Sequence, residues 1–387
     1  DMPALHDVLI VGAGPVGATV ALALRQSDLD VVVIEARGAN ATARGERSLA
    51  LSHGARLILE RVGVWGDLAA RPNAVTAITD IDVSQAGGFG MATLQARDQG
   101  LPALGYVVSY RELSAVLDAA LASAPIAMRH GARVADIGAT RAYAAVTLER
   151  EGEAMLARLA VIADGSAGVA GSMTRRRHDY RQCALVAKVW SRQPHNGRAY
   201  ERFTAEGPVA LLPEQDHYAL VWTAAPARAE ALLALPDEAF LSALAERVAP
   251  RRTDFVAVRE RRTFPLALEI ASPVVSTRCA AVGNAAQALH PVAAQGLNLG
   301  LRDGYELART ILDVPRESIG SRDMLARYAG ARRTDRLAGV AFTHGLLSVF
   351  GNASPWLRWP RGLALTALDA VPPLKRAFTR AMMFGLH

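Results

Sequence analysis

The first 35 residues contain the pattern that most limits the fold of this chain. An apolar strand, Asp7–Val11, is followed by Gly12, Gly14 and Gly17, and then by an alanine-rich helix that extends to about Gln26. A second strand, 31–34, ends in Glu35, which can accept hydrogen bonds from the ribose hydroxyls of an adenosine. A tight turn without a ligand would not explain Glu35. The combination therefore predicts a Rossmann-like unit that binds a dinucleotide, without distinguishing NAD from FAD.

A second glycine-rich stretch, Gly283–Gly300, reads GNAAQALHPVAAQGLNLG and follows an apolar strand at Cys279–Val282. We expect it to lead into a helix from about Leu299 to Leu312. Pro291 should fix a bend, and Gly296 should leave the amides around Leu297 and Asn298 open to an anionic or electron-rich partner. The alternative is an ordinary strand–loop–helix joint in which His290 and Gln295 are satisfied polar residues.

Polar residues between these stretches stand at the ends of predicted elements. Arg47 lies in GERSLALS, before a predicted helix that extends to Val62, and Arg111 opens a helix after a strand at Tyr106–Ser109. Taken by spacing alone, Arg47 is equally an ordinary surface arginine. A strand at 157–163 ends at Asp164 and Gly165, the edge at which open α/β sheets bind ligands.

The segment from Gln182 to Thr223 alternates apolar and polar residues, which predicts about four antiparallel strands. We expect it to form a second domain whose sheet receives a substrate, together with two or three short strands between Val75 and Leu104. The basic run Arg175–His178 is expected to be a solvated turn, with a phosphate-binding site as the alternative. A helix at Pro236–Val248 and a strand at Arg261–Leu268 should follow.

Composition excludes several classes of protein. The 387 residues suit two interlocked domains, and the net charge of +6 comes from scattered arginines, since Lys188 and Lys375 are the only lysines. No nucleic-acid-binding pattern is present, so no nucleic-acid partner is expected. Two distant cysteines, Cys183 and Cys279, suggest buried thiols in a reducing, cytoplasmic compartment. Gly-Ala-Gly-Pro interrupts the uncharged run at 8–24, so we expect no transmembrane helix.

The C-terminal part is predicted to be helical, with a long helix over Arg322–Phe350 and a final amphipathic segment. In that segment Leu374, Phe378 and Met382 share one side of a helix, whereas two arginines lie opposite. Packing against the protein body and peripheral attachment to an inner membrane surface are the two open interpretations.

The combined motifs resemble those of the FAD-dependent aromatic hydroxylases of the para-hydroxybenzoate-hydroxylase-like group. GAGPVG with Glu35, GERSLALS, Arg111, the Asp164–Gly165 pair and the Gly283–Gly300 stretch carry this resemblance. GNAAQ, AYERFTAEGPVALLP, THG and ALDAVPPLKR are most similar to the ubiquinone-biosynthesis branch, in particular to 2-polyprenyl-6-methoxyphenol hydroxylases. The likeness covers essentially the whole chain.

The resemblance implies a set of FAD contacts. The fingerprint glycines would approach the pyrophosphate, Glu35 the ribose, and Val134 the adenine through its backbone. Asn284 would hold the ribityl chain, and the amides near Gly296 would face the flavin ring. The residues expected to bind cofactor are Gly12, Gly14, Gly17, Glu35, Ala36, Arg37, Arg47, Arg111, Val134, Asp164, Gly165, Asn284, Pro291, Gly296, Leu297 and Asn298.

The resemblance also implies the reaction: hydroxylation of a polyprenylated phenol with NAD(P)H as a transient co-substrate and O2, through a flavin C4a-hydroperoxide. No metal is expected. His290 is a candidate catalytic residue by position, with a structural role as the alternative. Other ubiquinone-biosynthesis proteins are possible partners. The competing functions are a sister hydroxylase acting at another ring position or on another aromatic substrate, and a flavin-binding structural subunit.

Three positions depart from the pattern of the group. Asn284 replaces the usual aspartate, Ala294 stands where relatives have glycine, and SAGVAGSMTRRR after Gly165 lacks the usual serine and arginine. The resemblance therefore indicates least about how the protein contacts the nicotinamide cofactor.

These observations predict an α/β (α+β) protein: a Rossmann-like FAD-binding domain with an interleaved, mainly antiparallel β-sheet domain and a helical C-terminal region. The FAD-binding domain would comprise residues 1–75, 104–180 and 270–320. The substrate domain would comprise residues 76–103 and 181–269, and the helical region residues 321–387.

Overall fold

A computed structural model describes residues 3–41, 47–87, 90–150, 154–165, 173–248, 254–289 and 295–350, and the single positions 363, 369 and 370. In chain order, the strands are β1 Leu5–Val11, β2 Val31–Glu35, β3 Ser48–Ser52, β4 Val75–Ile78, β5 Asp80–Gln85, β6 Met91–Gln95, β7 Gly105–Ser109, β8 Ala127–His130, β9 Val134–Ala139, β10 Ala144–Leu148, β11 Ala154–Ile162, β12 Thr174–Ser191, β13 Arg198–Thr204, β14 Gly207–Glu214, β15 His217–Ala224, β16 Phe255–Ser272, β17 Val275–Ser276, β18 Cys279–Ala281 and β19 Gln287–Leu289. The helices are α1 Pro15–Ala23, α2 His53–Arg61, α3 Trp65–Ala70, α4 Tyr110–Ser123, α5 Pro226–Ala234, α6 Asp237–Val248, α7 Gln295–Leu312 and α8 Arg322–Phe350.

A mainly parallel sheet combines the first strands of the chain with strands near residue 280. Its strands run in the order β17-β18-β11-β1-β2-β8, and β18, β11, β1, β2 and β8 are mutually parallel. Strands β1 and β2 are continuous apolar runs because both faces of a parallel sheet are covered. Helices α1, α4 and α7 pack in the core on one face, whereas the hairpin of β9 and β10 lies against β11.

A second large sheet has the order β19-β16-β12-β15-β14-β13-β5-β6 and is antiparallel except for the β13–β5 pair. One face is covered by α5 and α6, because Leu185, Leu220 and Trp222 pack there with Phe240 and Leu244. We call the opposite face the cleft face and define it by a row of residues that are neighbours in register. The row consists of Val186, Val221, Ala210, Glu201 and Val83.

A three-stranded antiparallel sheet, β3-β7-β4, connects the two large sheets. Ile78 of β4 and Val107 of β7 pack in one cluster with Ala199 of β13, with Leu212 of β14 against it. Ala199 is two residues from Glu201 along β13, and Leu212 is two residues from Ala210 along β14. Because side chains alternate along a strand, all four lie on the same side of the large sheet. The cleft face therefore looks toward the small sheet.

The predicted fold class is confirmed, and several local predictions are corrected. Arg175–His178 is not a turn but part of β12, an 18-residue strand whose partner β16 extends its ladder over the basic run. The helix expected from Leu299 begins at Gln295. Helix α5 had no counterpart in the prediction. Strand β12 runs through the predicted domain boundary at residue 180, and β16 runs through the one at residue 269. The division into domains stays a prediction.

The other global expectations concern membrane segments and cysteines. Within the described ranges, no helix is both long and apolar enough to cross a membrane. Cys279 is buried, and Cys183 is half-buried; both thiols are free. Burial raises the pKa of Cys279 to about 11, so this thiol is unreactive at neutral pH.

Glycines bring α7 against α1 and the end of β18. A Cβ at Gly300 would lie 2.8 Å from Cγ2 of Val16 and 3.0 Å from the Cα of Gly283. A Cβ at Gly304 would lie 3.1 Å from Cγ2 of Val20. The Gly283–Gly300 stretch is thus a close-packed joint between the first and last segments of the parallel sheet.

We expect Gly300→Ala to lower the free energy of unfolding by about 1–3 kcal/mol, because the added methyl group overpacks this joint. Gly330→Ala is the matched control, since Gly330 lies within α8 with no atom within 4 Å of its Cβ position. That control should stabilise the protein by about 0.5–1 kcal/mol through helix propensity. Urea unfolding of both variants measures the difference, and equal effects would show that the α1–α7 contact tolerates a larger residue.

Candidate active site

The carboxyl ends of three parallel strands meet at one edge of the parallel sheet. Gly12 follows β1, Asp164 follows β11 and Asn284 follows β18. A Cβ at Gly12 would lie 2.8 Å from Cβ of Asp164, and a Cβ at Gly165 would lie 3.9 Å from Cβ of Asn284. The fold thus brings together residues from three distant parts of the sequence, at the edge where open α/β sheets bind ligands.

The three fingerprint glycines have different geometries. Gly12 has a φ of +99°, which disfavours any side chain, and a Cβ at Gly17 would lie 1.9 Å from the carbonyl oxygen of Gly12. At Gly14 the φ is −66° and no atom lies within 4 Å of a Cβ position. Gly12 and Gly17 are therefore required by the turn and the strand–helix contact, whereas Gly14 leaves open space at the start of α1.

Helix α1 begins with properties that favour an anion. No side chain caps it, Pro15 is its first residue, and its first turn contains no acidic residue. The first amides of a helix have no intrahelical acceptors and lie at the positive end of the helix dipole. A pyrophosphate can accept hydrogen bonds from these amides.

Glu35 ends β2 as a buried carboxylate. Its Oε2 accepts a hydrogen bond from the N–H of Ala13 (2.8 Å), and its Oε1 accepts one from the N–H of Arg37 (2.9 Å). Burial alone would raise the pKa of Glu35, but these hydrogen bonds and the Arg37 charge lower it overall. The carboxylate is thus ionised beside the glycine turn, and it retains lone pairs for ribose hydroxyls.

The neighbours of Glu35 extend this polar end of the sheet. Ala36 is exposed, and the Arg37 guanidinium lies 3.4 Å from Glu35 and 3.3 Å from Asp118. The N–H of Ala132 donates to the carbonyl of Glu35 at 3.1 Å. Val134 begins β9 two residues later, so its backbone lies near the end of β2.

Arg47 and Arg111 are brought together by the small sheet. Ser48 and Ser109 are paired between β3 and β7, so the arginines flank the same end of this ladder. The Arg47 guanidinium lies 4.2 Å from the centre of the Tyr110 ring, and the Tyr110 N–H donates to the Arg47 carbonyl. Both arginine side chains are exposed, as a contact with a bound cofactor requires.

The first turn of α7 is fixed to the small sheet by Asn298. Its Oδ1 accepts a hydrogen bond from the N–H of Ser52 (2.9 Å), and its Nδ2 donates to the carbonyl of Ala50 (3.3 Å). Gly296 and Leu297 are half-buried in the same turn, so this helix start lies beside β3. His290, Pro291 and Ala294 lie outside the described residues, and their predicted roles stay predictions.

Arg175, which we had assigned to a solvated turn, contacts the Gly283–Gly300 stretch. Its Nη2 donates to the carbonyl of Asn284 at 2.6 Å, and its Nη1 pairs with Glu269 at 2.7 Å. The sequence did not indicate this contact because it depends on the antiparallel pairing of β12 with β16, which places Arg175 near Glu269.

A buried polar chain joins the small sheet to the large sheet. The Ser48 hydroxyl donates to Oε1 of Glu214 at 2.5 Å, and Nε2 of His217 lies 3.2 Å from Oε2 of Glu214. Burial would raise the Glu214 pKa, but the His217 and Ser48 hydrogen bonds lower it overall. Burial would lower the His217 pKa, but Glu214 and Asp216 raise it overall. The pair is therefore ionic between pH 4.5 and 6.5.

This pair should make stability depend on pH. Glu214 stabilises the fold above its ordinary pKa of 4.5 and loses this effect as the pH falls through its lowered folded pKa. His217 stabilises the fold below its ordinary pKa of 6.5 and loses this effect as the pH rises through its raised folded pKa. We expect His217→Gln to lower the free energy of unfolding by about 1–3 kcal/mol between pH 4.5 and 6.5. The loss should be smaller at lower pH, where Glu214 becomes protonated, and at higher pH, where His217 becomes neutral.

Urea unfolding at a series of pH values measures this difference. His6→Gln is a suitable control, because His6 pairs with Asp30 at 2.8 Å on an exposed edge of the parallel sheet, where ion pairs contribute little. A stability loss in His217→Gln that is the same at every pH would show that the His217–Glu214 pair is not ionic.

Comparisons with known proteins agree with this geometry. The family described as "FAD binding domain" matches residues 6–341. The ubiquinone hydroxylase UbiL of Rhodospirillum rubrum is 34% identical, over 97% of this chain and 89% of that protein. The 3-demethoxyubiquinol 3-hydroxylase of Escherichia coli is 30% identical, over 96% of each chain. This protein belongs to the family of FAD-dependent hydroxylases.

Two solved structures of monooxygenases show the same fold. The p-nitrophenol 4-monooxygenase PnpA of Pseudomonas putida superposes with a TM-score of 0.77 at 17% identity and covers 100% of both chains. The probable FAD-dependent monooxygenase PqsL of Pseudomonas aeruginosa gives a TM-score of 0.75 at 19% identity, over 93% of this chain and all of that one.

The residues present fit FAD. Open space at Gly14, the uncapped start of α1 and the ionised Glu35 form a cradle for a pyrophosphate and a ribose. Across the described part of the chain, no group of three or more His, Cys, Asp and Glu side chains is arranged to hold a metal ion. The protein is an FAD-dependent monooxygenase.

Proposed function

We propose that this protein hydroxylates the aromatic ring of a polyprenylated phenol in ubiquinone biosynthesis, using FAD, NAD(P)H and O2. The observation that carries the proposal is the 34% identity to a ubiquinone hydroxylase over 97% of the chain. When bound, FAD would accept a hydride from NAD(P)H and activate O2.

The chain's own residues have defined tasks in this proposal. The fingerprint glycines and Glu35 hold the adenosine and pyrophosphate, while Arg47, Arg111, Asp164 and the start of α7 surround the flavin end. The sheet above this edge supplies an apolar wall: in the row that defines the cleft face, all residues except Glu201 are Val or Ala. Such a wall excludes water, which protects a reactive oxygen species from wasteful decay.

Anaerobic flavin reduction tests the proposal. Purified protein should be yellow, and NAD(P)H should reduce its flavin faster when a short-chain 2-prenyl-6-methoxyphenol is present. Admission of O2 should then yield a hydroxylated ring, whose position is identified by mass spectrometry and NMR. Bound flavin without substrate-dependent NAD(P)H oxidation would instead indicate a structural flavin subunit, and protein that stays colourless with added FAD would exclude both.

The ring position requires defined substrates. The relatives include a 3-demethoxyubiquinol 3-hydroxylase and a ubiquinone hydroxylase whose name states no ring position, so their names do not determine the carbon that this protein hydroxylates. Phenols that lack one ring substituent at a time, assayed separately, should show a single preferred precursor. Hydroxylation at a carbon other than the one that 2-polyprenyl-6-methoxyphenol hydroxylases modify would support the sister-hydroxylase alternative.

We also propose peripheral membrane contact through residues 374–384, which suits a polyprenylated substrate. This segment lies outside the described residues, and the proposal rests on its amphipathic sequence. Removal of residues 374–387 should reduce co-sedimentation with anionic liposomes. Unchanged co-sedimentation would count against this contact.

A further inference from the structure

Glu201 is the one ionisable residue among the five that define the cleft face, and the same row continues from Val186 to Arg262 of β16. Glu201 of β13 is paired with Ala210 of β14 and Val83 of β5. Ala210 is paired with Val221, which is paired with Val186. Because paired residues point to the same side of a sheet, these five side chains form one row across five strands.

This row lies on the side of the large sheet that faces the small sheet. The opposite side is filled by Leu185, Leu211 and Trp222, which pack beneath α5 and α6. Along β13, Glu201 is two residues from Ala199, which packs against Ile78 and Val107 of the small sheet. Glu201 therefore lies on the face that packs against the small sheet. Glu214 of the same face accepts a hydrogen bond from Ser48, the neighbour of Arg47.

The surroundings of Glu201 leave it available for a ligand. Glu201 is half-buried and makes no hydrogen bond or ion pair with another residue in the described part of the chain. Val186, Ala210 and Val221 beside it are only half-buried, so the row is a wall of a cleft and not the interior of a core.

We propose that Glu201 binds the hydroxyl group of the phenol substrate and accepts its proton during hydroxylation. This inference rests on the proposed function. The phenol O–H bond breaks, the proton moves to a carboxylate oxygen of Glu201, and the electron pair stays on the phenol oxygen. The resulting phenolate donates electron density to the ortho and para carbons, which would make them more reactive toward the electrophilic oxygen that bound FAD and O2 would supply.

The electrostatic setting suits a base that works at neutral pH. Burial, with no opposing hydrogen bond or charge, raises the pKa of Glu201 to about 7. A base with a pKa near the working pH combines sufficient ionisation with sufficient basicity. The residues flanking Glu201 on this face do not titrate: Ala199, Phe203, Ile81, Gln85, Pro208 and Leu212. The ionisable groups further along the face are Lys188, Glu214, His217, Arg259 and Arg262.

Glu201→Gln tests this assignment, because glutamine keeps the size and hydrogen-bonding capacity of the side chain but cannot accept the proton. In the wild type, kcat/KM for a short-chain phenol should rise with pH through about 7 as Glu201 ionises. In Glu201→Gln this rise should disappear, and kcat/KM should fall by about 10² or more. Glu201→Asp should retain the pH-dependent rise with a lower plateau.

An optical measurement distinguishes proton transfer from a structural role. Binding of the phenol to oxidised wild-type protein should produce the ultraviolet difference spectrum of a phenolate, at a lower pH than the free phenol does. Glu201→Gln should bind the phenol without this band. Glu238→Gln is the matched control, since Glu238 is exposed on α6 behind the sheet, and it should behave as the wild type.

The outcomes separate this inference from the proposed function. Wild-type protein that hydroxylates no phenol contradicts the proposed function. An active wild type together with a Glu201→Gln variant of unchanged pH profile and similar kcat/KM overturns the role of Glu201 alone. Flavin content checks that each variant is folded. If Glu201→Gln fails to hold flavin, the wild-type phenol titration decides, because a bound phenol that stays protonated above pH 7 overturns the inference.

Discussion

A Gly14→Val variant should fold normally and be purified without bound flavin. No atom lies within 4 Å of a Cβ at residue 14, and its φ of −66° and ψ of −179° are accessible to valine before a proline. The added side chain would occupy the space in front of the first amides of α1. Loss of two hydrogen bonds from these amides to a charged pyrophosphate, about 1.5–3 kcal/mol each, would raise the FAD dissociation constant by about 10²–10⁴.

Flavin absorbance of the purified protein and titration of the apoprotein with FAD measure this loss, and circular dichroism checks the fold. Gly138→Val provides the matched control, because Gly138 lies in β9 with equally open space at its Cβ position and should keep its flavin. Gly17→Val should instead prevent folding, since its Cβ would lie 1.9 Å from the Gly12 carbonyl oxygen. A yellow Gly14→Val protein of normal affinity would show that the pyrophosphate does not approach α1.

The local parts of this fold could be predicted because short-range patterns determine them. The strand–glycine–helix–strand order from Leu5 to Glu35 follows from apolar runs and glycine spacing, and α8 was predicted at its observed bounds because its periodicity is long and regular. The basic run at Arg175–His178 was misjudged because four polar residues in sequence are typical of a turn. Its strand conformation comes from pairing with β16, about 90 residues later, and no local pattern indicates this.

The candidate site shows the same division. Gly12, Glu35 and Asp164 could be selected from their positions at strand ends, since every parallel strand presents its carboxyl end to the same edge. Glu201 could not, because alternation along β13 gives its side of the sheet but not the identity of its neighbours. Its significance depends on Val83 and Ala210, which come from two other strands and leave the carboxylate without a partner.

Arg332→Met should destabilise the protein strongly, because it leaves two buried carboxylates without their main partner. Nε of Arg332 donates to Asp303 at 2.8 Å, and its Nη1 donates to Asp335 at 2.6 Å. The side chains of Asp303 and Asp335 are 0% and 4% exposed. Burial alone would lower the pKa of Arg332, but the two carboxylates raise it, so the arginine stays charged. Removal of one partner from such a buried cluster costs about 3–5 kcal/mol.

Urea unfolding of the flavin-loaded protein measures the loss, with Arg333→Met as the control, since Arg333 is the adjacent, exposed residue of α8. The double variant Arg332→Met, Asp303→Leu should lose less than the sum of its single variants, because it removes both members of the pair and leaves Asp335 beside Arg302 at 3.4 Å. If Arg332→Met were no less stable than Arg333→Met, the apolar contacts of Met324, Leu325 and Tyr328 would suffice to hold α8 on α7.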